Sequence, residues 1–366
     1  MTKQATATTR QTIRNASVRR APEYELDPST LEFGRNFCPN MFIVEYAGGQ
    51  WNDPRVEPLH TLPMHPGAIG LHYGQAIFEG LKAFRHADDR IAIFRPDANA
   101  RRLNTSAAVL DMPALPEELF LDAIRLLVSV ERDYVPRDPG SLYIRPTMVA
   151  TEPCLGVRSA QEYVFYVLAL PTGSYFKETS GGAGSVRVLI SDSSVRAVPG
   201  GTGAAKAAGN YAATLRITSR AKGMGCAQVL FLNAIDRRSV EEMGGMNVFF
   251  VRQGVLVTPP LTDTILRGTI RDTIITVARD LGIPVQETML DINEILRDIR
   301  SGAVTEAIAA GTAAVLTGIN AFVRESGETT PLPSPSPGAL TSKLYEHIQS
   351  IQRGRLPDAH GWLDFI

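Results

Sequence analysis

The sequence predicts a two-domain protein of the mixed α/β (α+β) class. Strand-like and helix-like runs alternate along the chain, which is the pattern of helices packed on sheets. The chain has 366 residues, enough for two domains of ordinary size. A Gly-rich stretch at 179–184 interrupts the ordered pattern near the middle. We therefore expect two domains joined by a linker.

Composition sets the predicted boundaries. Residues 1–22 are rich in Thr, Ala and Arg and contain no acidic residue, so we predict a disordered basic tail. A mitochondrial transit peptide has a similar composition, but no amphipathic helical pattern is visible, and we favour a tail on a cytoplasmic protein. Residues 23–175 are the predicted smaller N-terminal domain, 176–185 the linker and 186–366 the larger C-terminal domain.

Short apolar runs mark the predicted strands, and runs with helical periodicity mark the predicted helices. In the N-terminal domain the predicted strands are 41–46 and 163–169, and the predicted helix is 117–132. In the C-terminal domain the predicted strands are 186–190, 227–232 and 248–251, the predicted helices are 266–281, 291–301 and 338–352, and the predicted proline-rich loop is 331–337.

Charge and cysteine content exclude several classes of protein. The formal net charge is −1, so no electrostatic attraction to nucleic acid or to an anionic membrane is expected. No apolar run is long enough to span a membrane. Cys38, Cys154 and Cys226 are scattered and lack the spacing of a zinc site or a disulfide framework. This composition favours a reducing compartment and no bound metal.

One lysine has unusual neighbours. Residues 199–211 read PGGTGAAKAAGNY, so Lys206 is surrounded by Gly and Ala. Small neighbours let a flat ligand approach the backbone, and an apolar setting lowers a lysine pKa, which a nucleophilic amine requires. Taken alone, the segment fits a Gly-rich surface loop equally well. Of the six lysines, Lys82 in the apolar run 78–84 is the one serious rival, and we interpret it as structural, in a packed turn.

The segment around Lys206 resembles the cofactor-lysine motif of branched-chain aminotransferases, which are fold-type IV pyridoxal-phosphate enzymes of the class IV aminotransferase family. Further blocks match in family order from residue 31 to the C-terminus. These blocks are LHYGQAIFEGLKAF at 71–84, SLYIRPT at 141–147, TEPCLGV at 151–157, EMGGMN at 242–247, TPPL at 258–261 and GTA at 311–313. Their combination is far more specific than any single Gly-rich pattern.

The resemblance implies that pyridoxal 5′-phosphate forms a Schiff base with Lys206, the catalytic residue. Glu242 would keep the cofactor's ring nitrogen protonated, while its neighbour Glu241 would face solvent. Arg102 would bind the phosphate, with Arg101 as the alternative one position round the same predicted helix. The remaining implied cofactor-binding residues are Tyr211, at the phenolic oxygen, and Leu266, Gly268, Thr269, Ile270 and Thr312, at the phosphate.

Substrate recognition is also implied by the resemblance. Arg145 would hold the carboxylate of glutamate or 2-oxoglutarate, since a charge in an apolar run requires a partner. Leu155 and Val157 match a loop that reaches into the other subunit's pocket, so a homodimer is expected. The other implied substrate-binding residues are Phe33, Tyr73, Phe78, Tyr143, Tyr175, Tyr211 and Ala313.

The sequence departs from the family pattern at three places. Cys38-Pro39-Asn40 replaces the usual Thr-Asp-His and is expected to alter the edge of the pocket. Arg267 replaces a proline before the phosphate-binding turn, where backbone donation should survive. The CxxC redox pair of the mammalian enzymes is absent after residues 311–313.

The predicted activity is the reversible transfer of the amino group of L-leucine, L-isoleucine or L-valine to 2-oxoglutarate. A D-amino-acid or (R)-amine transaminase, or an aminodeoxychorismate lyase, is the alternative on the same fold. Those relatives are not expected to carry both the 71–84 and the 141–157 blocks. A non-catalytic binding protein is the alternative of another class. It need not keep Lys206, Glu242, Tyr211 and Arg102 together.

Overall fold

A computed structural model describes residues 13–15, 27, 30–31, 33–173, 185–334 and 337–366. Within these ranges the chain forms two nine-stranded sheets with helices packed against them. The strands are β1 (Arg14–Asn15), β2 (Asn40–Ala47), β3 (Gln50–Pro58), β4 (Ala76–Phe78), β5 (Leu81–Arg85), β6 (Ile91–Phe94), β7 (Ser141–Ala150), β8 (Tyr163–Thr172), β9 (Ser185–Ile190), β10 (Gln228–Leu232), β11 (Val240–Met243), β12 (Asn247–Arg252), β13 (Val255–Thr258), β14 (Val285–Glu287), β15 (Val304–Gly311), β16 (Val315–Arg324), β17 (Thr329–Pro331) and β18 (Leu363–Phe365).

The helices are distributed over both halves of the chain. They are α1 (Ile69–Tyr73), α2 (Pro96–Val109), α3 (Glu117–Val130), α4 (Ala208–Ala212), α5 (Leu215–Gly223), α6 (Thr269–Asp280), α7 (Ile292–Ser301) and α8 (Ala339–Gln352), and a 3-10 turn lies at Arg132–Tyr134. Within the described ranges, no helix is both long and apolar enough to cross a membrane.

The first sheet has the strand order β1-β3-β2-β8-β7-β5-β6-β18, with β4 beside β7. Side chains of a strand alternate between the two faces of a sheet. On β7, Leu142 and Ile144 point into a core shared with helices α2 and α3, where Phe120 and Leu127 are fully buried. The alternate residues of β7 therefore point to the opposite face, away from these helices.

The second sheet has the order β11-β10-β9-β16-β15-β12-β13-β14, with β17 beside β16. Helices cover both faces of this sheet, as the side chains of strand β12 show. Val248 and Phe250 pack in the core that contains helix α7, whereas Phe249 and Val251 pack in the core that contains helices α6 and α8. The second unit is therefore a three-layer structure, helix–sheet–helix, in which the sheet is buried.

The observed elements confirm the predicted α/β class and the predicted strands and helices. Helix α6 begins at Thr269 rather than at 266, because Gly268 before it is extended, with φ −70° and ψ 131°. Lys82 lies in strand β5 rather than in the predicted turn, because Leu81–Arg85 pairs with β6 and β7. Residues 176–184 of the predicted linker and residues 335–336 of the predicted loop lie outside the described ranges.

Two short strands differ from the predicted organisation. Arg14–Asn15, within the predicted tail, pair with Arg55 and Val56 of β3. Strand β18, within the predicted C-terminal domain, pairs with β6 of the first sheet. Packing explains the second difference, because Trp362 makes an edge contact with Phe94, at 5.8 Å between ring centroids.

Candidate active site

A cavity of about 510 Å³ is lined by residues of both sheets and is the candidate site. The first sheet contributes its β7 side chains, and the second contributes the end of β11 and the loops beside it. Predicted site residues that line the cavity are Phe33, Phe78, Arg102, Tyr143, Arg145, Lys206, Tyr211, Glu242, Leu266, Gly268, Thr269, Ile270, Thr312 and Ala313. Residues from distant parts of the sequence therefore meet in one place.

Lys206 is fixed at the cavity wall by its backbone and by its side chain. Its backbone N–H donates to Ser106 Oγ at 2.9 Å, and its carbonyl accepts from the amide of Phe78 at 3.1 Å. Its Nζ donates to the hydroxyl of Tyr211 at 2.9 Å and lies 4.8 Å from the Phe78 ring centroid. Helix α4 begins two residues after Lys206 and carries Tyr211, which lines the same cavity. The amine is thereby held in the cavity with a polar partner.

Glu242 is a buried carboxylate at the same cavity. Its Oε1 lies 2.5 Å from Arg196 Nη2 and accepts from the Leu266 amide at 2.8 Å, and its Oε2 accepts from Asn247 Nδ2 at 3.1 Å. Burial raises the pKa of Glu242 to about 7, although Arg196 acts in the opposite direction. A buried carboxylate of this kind is stabilised by a further protonated partner, such as a ring nitrogen that carries a proton. Arg196 and Asn247 were not identified from the sequence.

The prediction that Glu241 faces solvent is wrong, since its side chain is buried. Its Oε1 accepts from the Thr264 hydroxyl at 2.6 Å and from Asn233 Nδ2 at 3.0 Å. Adjacent residues of a strand point to opposite faces, and both faces of β11 are covered. The prediction was wrong because it assumed that one face of this strand was exposed.

Arg102 forms a buried pair with Glu79 at another part of the cavity. Its Nε donates to Oε1 and its Nη2 to Oε2, both at 2.7 Å, and its Nη1 donates to the Arg267 carbonyl at 3.0 Å. Burial is the largest single influence and pushes the pKa of Glu79 upward, but the charge and hydrogen bonds of Arg102, together with Lys206 and Asn99, lower that pKa below its usual value. The alternative, Arg101, is exposed and pairs with Asp97.

Glu79 is a site residue to which no motif in the sequence gives a role. An acidic residue inside the apolar run 78–84 requires a buried partner, and that was the signal available. The carboxylate is fully buried, and Asn99 Nδ2 also donates to it at 2.6 Å. Helix α2 carries both Asn99 and Arg102, so one helix supplies the acid with its partners.

The N-terminus of helix α6 points backbone amides at the cavity. The helix spans Thr269–Asp280, and the first N–H groups of a helix have no partner within it. Gly268 is required at this entry, because an added Cβ would collide with the Asn247 side chain. Thr312 lies nearby, with its hydroxyl 3.1 Å from the Gly80 carbonyl. Free amides, a hydroxyl and the Arg102 guanidinium make a suitable cradle for a phosphate group.

Aromatic rings and one arginine form the remaining wall. Tyr143 and Arg145 are two residues apart on β7 and therefore share the face opposite the first core. Arg145 Nη2 donates to the Tyr143 hydroxyl at 2.9 Å, and the guanidinium lies 4.8 Å from the Phe78 ring centroid. Phe33 packs edge-on against Tyr143 at 4.9 Å. Arg145 Nε is buried without a hydrogen-bond partner among the described residues, so this cation has an unused donor.

Several predicted substrate residues do not line the cavity of this chain. Tyr73, Leu155 and Val157 are exposed, with Val157 at 85%. The Tyr73 hydroxyl donates to the Leu155 carbonyl, so these residues belong to one surface cluster. Tyr175 lies outside the described residues.

The Cys38-Pro39-Asn40 segment does not form the edge of the pocket, contrary to the expectation. Cys38 is buried in the first core, where burial raises the pKa of its thiol. Asn40 is buried too, and its backbone N–H and its Nδ2 both donate to Glu131 Oε1 at 2.8 Å. The replacement therefore changes the interior of the first unit, because Glu131 draws Asn40 inward.

The donor set fits pyridoxal 5′-phosphate. A half-buried amine at Lys206, a buried carboxylate at Glu242, and an arginine beside free helix amides correspond to its aldehyde, its ring nitrogen and its phosphate. The described residues contain no group of three or more His, Cys, Asp or Glu side chains that could hold a metal ion.

Known proteins are similar to this chain in sequence and in fold. Residues 76–322 match the family model described as amino-transferase class IV. The chain is 46% identical to the branched-chain-amino-acid aminotransferase of Mycolicibacterium smegmatis, over 90% of this chain and 91% of that protein. It is 44% identical to branched-chain-amino-acid transaminase 1 of Bacillus subtilis, over 92% and 94%. The crystal structure of the branched-chain amino acid aminotransferase from Thermobaculum terrenum, in its PLP form, matches with a TM-score of 0.73 and 27% identity, over 88% and 97%.

Proposed function

The chain belongs to the branched-chain-amino-acid aminotransferases of the class IV aminotransferase family, and we propose how its site transfers an amino group from one substrate to another. The amino group of L-leucine, L-isoleucine or L-valine is transferred to 2-oxoglutarate, giving the branched 2-oxo acid and L-glutamate. One observation carries the proposal for the site. Lys206, Glu242 and Arg102 line a single cavity together with Arg145 and an aromatic wall.

Pyridoxal 5′-phosphate is the cofactor, and its residues divide by chemical task. When bound, the cofactor supplies an electron-accepting ring and carries the amino group between the two half-reactions. Arg102, the amides of Thr269 and Ile270 and the Thr312 hydroxyl would hold its phosphate. Glu242 would accept a hydrogen bond from the protonated ring nitrogen, and this added cation would offset the burial that raises the pKa of the carboxyl.

Lys206 would first hold the cofactor and then act as a general base. Its Nζ would take the proton from the α-carbon of the amino donor and deliver it to C4′ of the cofactor. In the second half-reaction it would make the reverse transfer and place a proton on the α-carbon of glutamate. The Tyr211 hydroxyl, 2.9 Å from Nζ, would orient the amine for this transfer. Hydrogen bonds at its N–H and at its carbonyl anchor the backbone of Lys206, from which the amine extends into the cavity.

The remaining wall would accept two different substrates in turn. Phe33, Phe78 and Tyr143 offer apolar surface to a branched side chain. Arg145 would bind the γ-carboxylate of 2-oxoglutarate or glutamate, and its unused Nε donor supports this role. A shared site for both substrates predicts ping-pong kinetics.

The exposed cluster of Tyr73, Leu155 and Val157 supports a homodimer. Large apolar side chains at 66% and 85% exposure are costly in water and are typical of an interface. In a dimer each copy would place this loop at the cavity of its partner. The proposed location is the cytoplasm, where Cys38, Cys154 and Cys226, free in this structure, stay reduced.

A panel of amino donors with 2-oxoglutarate as acceptor tests the proposal. The purified protein should absorb in the visible range, lose that band on addition of L-leucine, and form glutamate with L-leucine, L-isoleucine and L-valine. Glutamate formation from D-amino acids alone would favour the alternative transaminase. A colourless protein that pyridoxal 5′-phosphate cannot recolour would overturn the proposed function.

A further inference from the structure

Lys82 is a buried lysine that the proposed mechanism leaves unused. It lies on strand β5, only 9% exposed. Its Nζ donates to the carbonyl oxygen of Ala313 at 2.6 Å. This bond joins the first sheet to the turn between β15 and β16, and that turn carries Thr312 and Ala313 at the cavity.

Folding alone gives no reason for an amino group at this position. Burial, together with the charge of Arg353, lowers the pKa of Lys82 to about 7. Within the part of the chain that the structure describes, no carboxylate forms an ion pair with it. A buried amine with a single hydrogen-bond partner is less favourable for stability than an apolar side chain of the same length.

Lys82 stands behind the turn, outside the large cavity. The large cavity is lined by Thr312 and Ala313 but not by Lys82. A separate small cavity of about 10 Å³ is lined by Lys82, Thr312 and Gln352. The bond from Lys82 therefore draws the Ala313 carbonyl oxygen toward the interior. A carbonyl oxygen turned into the large cavity would repel a carboxylate there.

The 311–313 turn lines the large cavity and carries Ala313, an implied substrate-binding residue. We propose that this turn binds the α-carboxylate of the substrate, and that Lys82 is a positioning residue that binds the Ala313 carbonyl from behind and keeps the turn in place. The inference rests on the proposed function, because the carboxylate is that of the amino acid or the 2-oxo acid. Lys82 also has a second neighbour on the cavity wall, because it is the cross-strand partner of Tyr143 where β5 pairs with β7.

The test compares the holoenzyme with the variants Lys82→Met and Lys82→Arg, with exposed Lys222→Met as the matched control. The probe is 4-methylvaleric acid, which has the branched carbon chain and the carboxylate but no group that can react. Its Kd is measured by calorimetry, alongside kcat and KM for L-leucine and the melting temperature.

In Lys82→Met we expect Kd for the probe and KM for L-leucine to rise at least about tenfold, because the 311–313 turn loses the hydrogen bond that holds it in place. We expect kcat to change less than about threefold and the melting temperature not to fall, because a buried amine has been removed. Lys82→Arg should restore most of the carboxylate binding. Lys222→Met should match the unchanged protein in every measurement.

Unchanged probe binding in Lys82→Met would overturn the inference, and so would a lower melting temperature or a failure to fold, since either shows a structural role. Probe binding requires no turnover, so this result is separate from the proposed function. Absence of leucine transamination in the unchanged protein would sink the proposed function alone.

Discussion

Arg102 and Glu79 face each other through two parallel hydrogen bonds of 2.7 Å, with both side chains buried. This bidentate geometry fixes the plane of the guanidinium. The Arg102 guanidinium, which is proposed to bind the cofactor phosphate, is therefore oriented before any phosphate binds. The pair is also neutral as a unit, which allows an arginine to stay in the interior.

Replacing Arg102 by Met should destabilise the protein strongly. Glu79 would remain buried with its charge unmatched, which lowers the free energy of unfolding by about 3–5 kcal/mol. Urea denaturation of the cofactor-free protein measures this. The control is Arg101→Met, whose exposed pair with Asp97 contributes less than about 1 kcal/mol. Equal losses in the two variants would mean that the Arg102–Glu79 pair has no special role in stability.

Replacing Lys206 by Ala should abolish transamination. The variant lacks the amine that holds the cofactor and moves the α-proton, and we expect a loss of at least about 10³-fold in kcat. The assay follows glutamate formed from L-leucine and 2-oxoglutarate, and circular dichroism checks the fold. Lys343→Ala, at an exposed position of α8, is the control. Activity within tenfold of the unchanged protein would show that another lysine carries the reaction.

Glu131 should make stability fall as pH rises. Burial raises the pKa of Glu131 to about 7 from the ordinary 4.5, although its bonds from Asn40 act the other way. The folded protein therefore binds a proton that the unfolded chain releases above about pH 4.5. The resulting stabilisation is complete below that pH and is lost as pH rises through about 7, by up to roughly 3 kcal/mol.

Denaturant titrations between pH 5 and 8 measure this dependence, with Glu131→Gln as the comparison. The variant cannot titrate at this position, so its stability should change less over the range. Parallel curves for the two proteins would place the pKa of Glu131 near its ordinary value and contradict the expectation.

Val157→Asp should give a monomer with weakened activity. Val157 is 85% exposed in the single chain, and a buried charge at a dimer interface is strongly unfavourable. Light scattering coupled to gel filtration reports the mass. Ile235→Asp is the matched control, since Ile235 is 77% exposed and lies between β10 and β11 of the second sheet. A dimeric Val157→Asp variant would remove the loop 151–157 from the proposed interface.

Regular elements and the centre of the site were predictable from the sequence. Apolar runs and helical periodicity depend on neighbours along the chain, so β2, β8, α3 and α7 could be placed from local patterns. Lys206, Glu242 and Arg102 were recognised by motifs, and the structure brings them to one cavity.

Burial of individual polar residues could not be predicted in the same way. Alternation along β11 separates Glu241 from Glu242, but it does not say that both faces of the strand are covered. Asn40 turns inward because Glu131, far along the chain, accepts its hydrogen bonds. Contacts of that kind depend on tertiary packing, which a linear pattern does not contain.

The first sheet can be completed only late in chain synthesis, because its edge strand β18 follows the other described strands in the chain. It completes the edge of the first sheet beside β6, yet it is translated only after every strand of the second sheet. During translation the backbone groups of β6 on that side stay unpaired, and an open strand edge is a template for aggregation. Arg95, which adjoins β6, also packs on the Trp362 ring and bonds to Thr273 of α6. These contacts between the two halves of the protein therefore form late in synthesis. The exposed edge of β6 must be protected in the nascent chain until β18 emerges from the ribosome.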